Sequence, residues 1–170
     1  KFIDENSELF TRVEKEFGVP REIITSILGV ETRYGKIKGS YRVLDSLATL
    51  GFDFPRRAKF FKSELVQFFI LSRENNLDIF SVLGSYAGAM GYGQFISSSY
   101  RAYAVDYDGD GYADLFHSVP DAIASVANRQ RADQKGIPAE TWQPRAGPGS
   151  RAFRGLPPEH LVVLFHFWLQ

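Results

Sequence analysis

Hydrophobic residues recur three and four positions apart along most of the chain, which is the spacing of one face of an α-helix. Pro20 and Pro55 stand at the start of two such segments, where proline suits the first turn of a helix. Gly18 and Gly35 each follow a segment, where glycine commonly ends a helix. The pattern therefore predicts a mainly α protein, with helices over residues 7–17, 20–34, 43–50, 55–74, 78–82, 97–103 and 120–131.

Other segments lack the helical spacing. Residues 106–114 are rich in Asp and Gly and predict a loop, with a small hairpin expected around it. Residues 135–158 contain five prolines and form the least regular stretch. The apolar stretch from Leu161 to Trp168 predicts a helix, with a strand as the alternative.

The composition narrows the class of protein. The 170 residues are 44% hydrophobic and 24% charged, which is the balance of a folded globular domain rather than a disordered chain. The 20 basic and 20 acidic side chains cancel, which argues against nucleic acid as a partner. The chain has no cysteine, which excludes disulfides and thiolate nucleophiles. No apolar run approaches the roughly 20 residues of a membrane span, and the N-terminus lacks a signal-peptide pattern. We expect one domain over residues 1–170.

Glu31 is the strongest candidate for a catalytic residue, because it shares a predicted helix with apolar side chains. Ile24, Ile27 and Leu28 precede it by seven, four and three positions, which places them on its face of the helix. Burial on that face raises the pKa of a carboxyl group, and an acid that stays protonated near neutral pH can serve as a general acid. The structural alternative is an ion pair between Glu31 and Arg33 or a distant arginine.

The Asp-rich loop follows the spacing D-x-D-x-D-G of a calcium-binding loop. Its alternating positions supply hard oxygen ligands, and Gly111 provides the sharp turn at position 6. Position 12 departs from the pattern, because His117 stands where a glutamate is usual, and Asp121 is the nearest carboxylate downstream. We expect a structural calcium site and no organic cofactor; the alternative is an Asx-rich turn without metal. The predicted ligands are Asp106, Asp108, Asp110, the Tyr112 carbonyl, Asp114 and Asp121.

Three ordered segments resemble the lytic murein transglycosylase B family of the bacterial envelope. They are residues 29–35 (GVETRYG), residues 44–58 (which include LDSLATL and FPRRA) and residues 87–100 (which begin AGAMGYGQF). The Asp-rich loop and residues 121–128 follow in the same order, so the resemblance covers residues 18–128. This chain departs from the family at Ser97, where a proline is usual, and at Arg129, where a tyrosine helps to line the site. The aromatic C-terminal motif of the family is not recognisable in residues 161–170.

The resemblance implies a lysozyme-like fold with a helical insertion at about 41–82 and an EF-hand-like calcium loop at 106–121. It implies cleavage of the β-1,4 bond between MurNAc and GlcNAc of peptidoglycan, with a 1,6-anhydromuramoyl product. Glu31 is then the sole general acid and base. The substrate-binding residues implied are Gln94, Tyr92, Gly91, Ser85, Tyr86, Met90 and Asn128.

Two other functions stay open at this point. A hydrolytic muramidase would use water and leave a reducing end, and a catalytically silent module would bind peptidoglycan without cleaving it. A calcium sensor is disfavoured, because sensors carry paired loops and Met-rich faces, whereas this chain has one such loop and one methionine. The resemblance also implies a monomer in the periplasm that binds glycan strands, with cell-wall synthesis enzymes as further partners. Membrane attachment would come only through a lipid anchor upstream of Lys1, at the outer membrane.

Overall fold

Helices dominate residues 1–136, which are the residues that the computed structural model describes. Strands β1 (Tyr41–Arg42) and β2 (Leu83–Gly84) pair antiparallel, and Pro55–Arg57 forms a 3-10 turn. The mainly α class predicted from the sequence is confirmed. The helices are α1 (Phe2–Glu5), α2 (Ser7–Phe17), α3 (Arg21–Thr32), α4 (Val43–Phe52), α5 (Ala58–Glu74), α6 (Ser97–Tyr103) and α7 (Val119–Gln134).

Helix α7 occupies the centre of this structure and packs against α2, α3 and α6. Every residue from Asp121 to Asn128 is buried. A helix that is covered on all sides needs small side chains where its neighbours approach, and the sequence supplies Ala122, Ala124 and Ala127 there. The Ser118 hydroxyl caps the helix by accepting the Asp121 N–H at 3.2 Å.

Helices α4 and α5 pack against each other, and α5 also contacts α6. Val43 and Leu47 of α4 join Phe61 and Phe68 of α5 in the same hydrophobic core that holds Ile24 and Leu28 of α3. This packing connects the pair of helices to the rest of the domain. None of the described helices is long and apolar enough to cross a membrane.

Two predictions about the middle of the chain are wrong. The segment predicted as a helix over residues 78–82 is a turn that leads into β2, because the Asp78 carboxylate accepts the Phe80 N–H at 3.0 Å and so favours an Asx turn. The small sheet of the described residues is β1 with β2, rather than a hairpin around the Asp-rich loop. The carboxylates of Asp106 and Asp121 accept N–H groups of that loop, which therefore pair with no strand of the described residues.

Helix α3 ends two residues earlier than the apolar pattern indicates. Arg33 and Tyr34 both adopt the left-handed conformation, with φ of 50° and 61°. The Tyr34 N–H donates to the Leu28 carbonyl at 3.0 Å, and its ring stacks on Phe2 with centroids 4.9 Å apart. Tertiary packing of Tyr34 thus ends the helix ahead of Gly35. The predictions for residues 137–170 lie outside the described residues.

Candidate active site

Glu31 lies in the last turn of α3, and its side chain is exposed to solvent. This corrects the expectation that it faces inward. Ile24 and Leu28 are buried, but Ile27, which precedes Glu31 by four positions in the same row, is only half-buried. The row that ends at Glu31 therefore runs along the edge of the apolar face. The carboxyl group is left open to a ligand on one side and surrounded by protein on the other.

The surrounding protein raises the pKa of the Glu31 carboxyl above its ordinary value, because partial desolvation disfavours the charged form. The positive charge of Arg129, on the packed helix α7, acts in the opposite direction and lowers the same pKa. Desolvation is the larger of the two effects. Glu31 therefore combines access for a ligand with the raised pKa that suits a proton donor.

Arg129 is held in place by the groups around it. Its guanidinium carbon lies 5.5 Å from the centroid of the Phe95 ring, and its Nε lies 4.0 Å from a carboxylate oxygen of Asp133. The Nε is buried and donates no hydrogen bond to a described residue. Sequence reasoning gave Arg129 no role, because nothing in the helical spacing connects it to Glu31. The only signal for a role of Arg129 was that it stands where the family has a tyrosine that helps to line the site.

The glycine-rich segment, residues 84–95, forms a short ladder that contains a tight loop, here called the glycine-rich loop, over residues 91–94. Gly84 pairs with Met90, and Met90 exchanges two backbone hydrogen bonds of 2.9 Å with Phe95. Gly91, the first residue of the loop between them, has a φ of +70°. A Cβ at this position would lie 2.5 Å from the Leu115 carbonyl oxygen. Only glycine fits there, for both conformational and steric reasons.

The loop residue Tyr92 is fixed directly to the end of α3. The Thr32 hydroxyl donates to the Tyr92 carbonyl at 2.8 Å and accepts the Gly35 N–H at 2.9 Å. The Tyr92 ring lies against Gly35, where a Cβ would be 2.0 Å from a ring carbon. The Lys38 ammonium stands 4.7 Å from the centroid of that ring. Tyr92, predicted to bind substrate, is thus held close to the segment that carries Glu31.

Gln94 is half-buried beside Tyr92 and takes the left-handed conformation, with a φ of 49°. Its side-chain amide donates to the carbonyls of Lys38 and Gly91, at 3.2 and 3.1 Å. These bonds fix the amide plane and leave the Gln94 side-chain carbonyl without a partner among the described residues. A substrate N–H or hydroxyl could bind there.

The other predicted substrate-binding residues differ in accessibility. Tyr86 is exposed, and Ser85 is half-buried, with its hydroxyl accepting the N–H groups of the turn that follows. Met90 and Asn128 are fully buried, and the Asn128 amide donates to the Tyr103 carbonyl at 3.0 Å. Their side chains therefore lie beneath the surface, where they support the site rather than form its wall.

The Asp-rich loop brings three of its predicted metal ligands together. One carboxylate oxygen from each of Asp106, Asp108 and Asp110 lies within 4.8 Å of the others. Asp106 also accepts the N–H groups of Gly109 and Gly111, at 2.8 and 2.9 Å. Hard oxygen ligands at this spacing fit Ca²⁺, whose charge would offset the repulsion between the three carboxylates.

The remaining predicted ligands have other contacts. Asp121 is buried beneath the loop, where it accepts the N–H groups of Tyr107 and Asp108 with one oxygen and that of Asp114 with the other. Burial raises the pKa of the Asp121 carboxyl to about 6. Asp114 contacts the His117 ring at 3.0 Å, and the Tyr112 carbonyl stays a predicted ligand. Asp121 and Asp114 therefore do not join the cluster of three carboxylates.

Comparison with known proteins shows the family to which the chain is similar. Residues 1–145 match the family described as "Transglycosylase SLT domain". The chain is 50% identical over 131 residues to the membrane-bound lytic murein transglycosylase B of Escherichia coli strain K12, a match that covers 77% of this chain and 36% of that protein.

Solved structures of two lytic transglycosylases are similar in fold. Soluble SltB1 from Pseudomonas aeruginosa shares 55% identity with a TM-score of 0.75, over 76% of this chain and 44% of that one. Slt35 from Escherichia coli, solved in complex with calcium, shares 49% identity with a TM-score of 0.75, over 77% of this chain and 42% of that one. These similarities confirm the lysozyme-like fold that the resemblance implied. The chain spans less than half the length of these relatives.

Proposed function

This chain belongs to the transglycosylase SLT domain family, and we propose that it cleaves the glycan strands of peptidoglycan as a lytic transglycosylase. The observation that carries the proposal is the position of Glu31. Its carboxyl group is accessible to solvent and has a raised pKa. The next residue of the same helix, Thr32, bonds to the glycine-rich loop. The names of the relatives support peptidoglycan as the substrate.

The chemistry needs one carboxyl group that acts first as an acid and then as a base. Glu31 donates its proton to the glycosidic oxygen as the bond from C1 of MurNAc to that oxygen breaks. The N-acetyl carbonyl of MurNAc stabilises the cationic centre at C1. The Glu31 carboxylate then takes the proton of the 6-hydroxyl of the same sugar, whose oxygen bonds to C1 and closes the 1,6-anhydro ring. Glu31 ends protonated, and no water is consumed.

The loop of residues 91–94 is proposed to position the glycan. The Gln94 side-chain carbonyl accepts a hydrogen bond from the substrate, and the Tyr92 ring lies against a sugar. The rigid attachment of both residues to Thr32, Gly35 and Lys38 supports this role, because catalytic geometry must be held within a fraction of an ångström. Ser85 and Tyr86 extend the same surface.

A structural calcium ion is proposed for the Asp-rich loop. Asp106, Asp108 and Asp110 would hold it directly, and Asp121 would hold the loop backbone in the binding conformation. The calcium complex of Slt35 supports this assignment by analogy. The ion has no part in the reaction; it stabilises a loop that precedes the central helix α7.

The setting of the protein is also a proposal. Glycan strands of the cell wall are the proposed partner, which supports a location in the bacterial envelope, in the periplasm. The Escherichia coli relative is named as membrane-bound, and the Pseudomonas aeruginosa relative as soluble. Either mode of attachment is compatible with the described site.

Digestion of purified peptidoglycan, followed by mass spectrometry of the released muropeptides, tests the function. The wild-type protein should release muropeptides that end in an anhydro sugar and are one water lighter than hydrolysis products. Glu31→Gln should release about 100-fold less or nothing, because general acid–base catalysis contributes at least that factor. Glu22→Gln is the matched control, since Glu22 is exposed in the first turn of the same helix and should leave the products unchanged.

The masses of the products distinguish the three candidate functions. Products with a reducing end would identify a hydrolytic muramidase. Asp133 would then be a candidate for the second carboxyl group of a hydrolase. Burial raises the pKa of Asp133, and the charge of Arg129 lowers it, as for Glu31. Glycan binding without any product would identify a silent binding module. Either result would overturn the transglycosylase proposal.

A further inference from the structure

Helix α5 carries a row of exposed side chains, here called the α5 stripe, whose spacing alternates between three and four residues. That spacing places the side chains on one face of the helix, over a length of about 21 Å. The opposite face packs into the protein through Phe61, Phe68 and Leu71. The members of the α5 stripe are Lys59, Lys62, Val66, Phe69 and Arg73.

The α5 stripe leaves apolar side chains in water. Val66 is 55% exposed and Phe69 is 45% exposed. Phe52, at the end of the neighbouring helix α4, adds a third large side chain with 66% exposure. The Lys62 ammonium stands 4.7 Å from the centroid of the Phe52 ring, which connects Phe52 to the stripe. Apolar side chains grouped on an ordered surface indicate a site that binds a partner or a membrane.

Basic side chains dominate this surface, although the chain as a whole is neutral. Within residues 52–73, Asp53 is the one exposed acidic side chain. Neither Lys59 nor Arg73 forms an ion pair within residues 1–136, so their charges are available to an outside partner. The exposed cations of this segment are Arg56, Lys59, Lys62 and Arg73.

The combination of charge and apolar surface favours an anionic phospholipid bilayer as the partner. A helix that lies flat on a bilayer inserts its apolar side chains between the headgroups, while its lysines and arginines reach the phosphates. A soluble polyanion would engage the cations but leave Val66 and Phe69 in water. A bilayer supplies negative charge and an apolar interior together, and it needs no groove to match the convex face of a helix.

We propose that the α5 stripe and Phe52 form a peripheral contact site for a membrane surface that contains anionic phospholipid. Phe52, Val66 and Phe69 enter the headgroup region, and the cations pair with lipid phosphates. Helix α5 packs on α4 and α6, whereas α3, which carries Glu31, packs on α1, α2 and α7. The contact site therefore lies outside the helices around Glu31, and it does not depend on the proposed function.

Flotation of the full chain with lipid vesicles tests the site in the absence of peptidoglycan. The protein should float with vesicles that contain phosphatidylglycerol and stay unbound with vesicles of phosphatidylcholine alone. Lys59→Gln with Lys62→Gln should lower the partition coefficient about 25-fold, which is about fivefold for each cation. Val66→Ser with Phe69→Ser should lower it about tenfold, because less apolar surface is buried in the bilayer.

Two matched variants control for net charge and for total apolar surface. Lys15→Gln with Lys36→Gln removes the same charge from exposed positions outside the stripe. Val30→Ser with Ile37→Ser removes two exposed apolar side chains from α3 and the turn after it. Both variants should float with the phosphatidylglycerol vesicles nearly as the wild type does, and circular dichroism checks that all four variants are folded.

Each result decides the proposal. No binding to the phosphatidylglycerol vesicles would overturn it, and so would an equal loss in the control that lacks Lys15 and Lys36, because net charge alone would then act. Unchanged binding after loss of Val66 and Phe69 would indicate a surface for a soluble polyanion and would also overturn it. A wild-type protein that floats with vesicles, yet releases no muropeptides from lipid-free peptidoglycan, would overturn the proposed function and leave the membrane site supported.

Discussion

The Thr32 hydroxyl donates a hydrogen bond of 2.8 Å to the carbonyl of Tyr92, sixty residues away in the chain. Thr32 is buried and directly follows Glu31 in the chain, and Tyr92 lies in the same loop as Gln94. The same hydroxyl accepts the Gly35 N–H, so it connects the end of α3, the turn after it and the glycine-rich loop. This side-chain oxygen is therefore one of the contacts that set the distance from the acid to the substrate-binding loop.

Replacing Thr32 by valine keeps the shape and removes this oxygen. The Tyr92 carbonyl and the Gly35 N–H then lose their partner, and we expect a loss of about 1–3 kcal/mol in the free energy of unfolding. Release of muropeptides should also fall, because the loop can shift relative to Glu31. Thr32→Ser keeps the oxygen and should retain most of both quantities. Urea unfolding and a digest at fixed enzyme concentration measure the two effects, and a fully stable, fully active Thr32→Val protein would contradict the prediction.

Arg129 should set the pH range of the enzyme. Its positive charge lowers the pKa of Glu31 and so opposes the upward shift caused by desolvation. Removing the charge with Arg129→Gln should raise the pKa of Glu31 further. Because Glu31 must be protonated to act as the acid, activity is lost as pH rises through its pKa, and the alkaline limb of the profile should move to higher pH.

The conservative replacement separates charge from packing at this position. Arg129→Lys keeps the positive charge but loses the guanidinium group that lies over the Phe95 ring, so its alkaline limb should stay near that of the wild type. The measurement is the initial rate of muropeptide release between pH 4 and pH 9. An alkaline limb that stays in place, or moves to lower pH, in Arg129→Gln would show that Arg129 does not act on Glu31.

Local signals in the sequence located most of the helices. The predicted bounds of α2 and α6 match the structure to the residue, because in each helix the apolar spacing ends where a glycine or a loop begins. The segment at residues 78–82 was misassigned because Asp78 supports both a helix cap and an Asx turn, and pairing of β2 with β1 selects the turn. Only tertiary context resolves that choice.

The active site was predictable only in part. The spacing of Glu31 from Ile24 and Leu28 identified Glu31 as the candidate acid. It did not show that this row of side chains runs along the edge of the apolar face of α3 rather than into the core. The contact between Thr32 and Tyr92 and the approach of Arg129 to Glu31 join residues far apart in sequence. Such pairings depend on how the glycine-rich loop and α7 each pack against α3, which no local pattern encodes.

Calcium should stabilise the protein through the cluster of three carboxylates. Addition of Ca²⁺ after treatment with EGTA should raise the melting temperature, because an ion that binds only the folded state shifts the unfolding equilibrium. Asp110→Asn removes one charge from the cluster and should abolish most of that rise. Asp53→Asn, an exposed position outside the loop, should leave the rise intact.

Asp121 should act on the loop backbone and therefore stabilise the protein without calcium. Its two oxygens accept three backbone N–H groups, and Asp121→Asn replaces one oxygen by a donor that cannot accept them. We expect about 1–3 kcal/mol lower stability even in EGTA, where Asp110→Asn should cost little. Thermal unfolding of both variants with and without Ca²⁺ makes the comparison. Loss of only the calcium-dependent part in Asp121→Asn would instead identify Asp121 as a direct ligand.

Two glycines with almost the same backbone angle provide a matched test of steric fit. Gly91 and Gly18 have φ of +70° and +72°, but a Cβ at Gly91 would meet the Leu115 carbonyl oxygen at 2.5 Å, whereas a Cβ at Gly18 would meet nothing within 4 Å. Gly18→Ala should therefore cost only the left-handed strain, about 1–2 kcal/mol. Gly91→Ala adds a collision with backbone, worth about 1–3 kcal/mol more, and threatens the hydrogen bond from the Tyr92 N–H to Leu115. Urea unfolding should rank the two variants in that order, and muropeptide release should fall in Gly91→Ala alone. Equal costs would mean that the loop can move away from Leu115, and that its position beside Glu31 is not fixed by this contact.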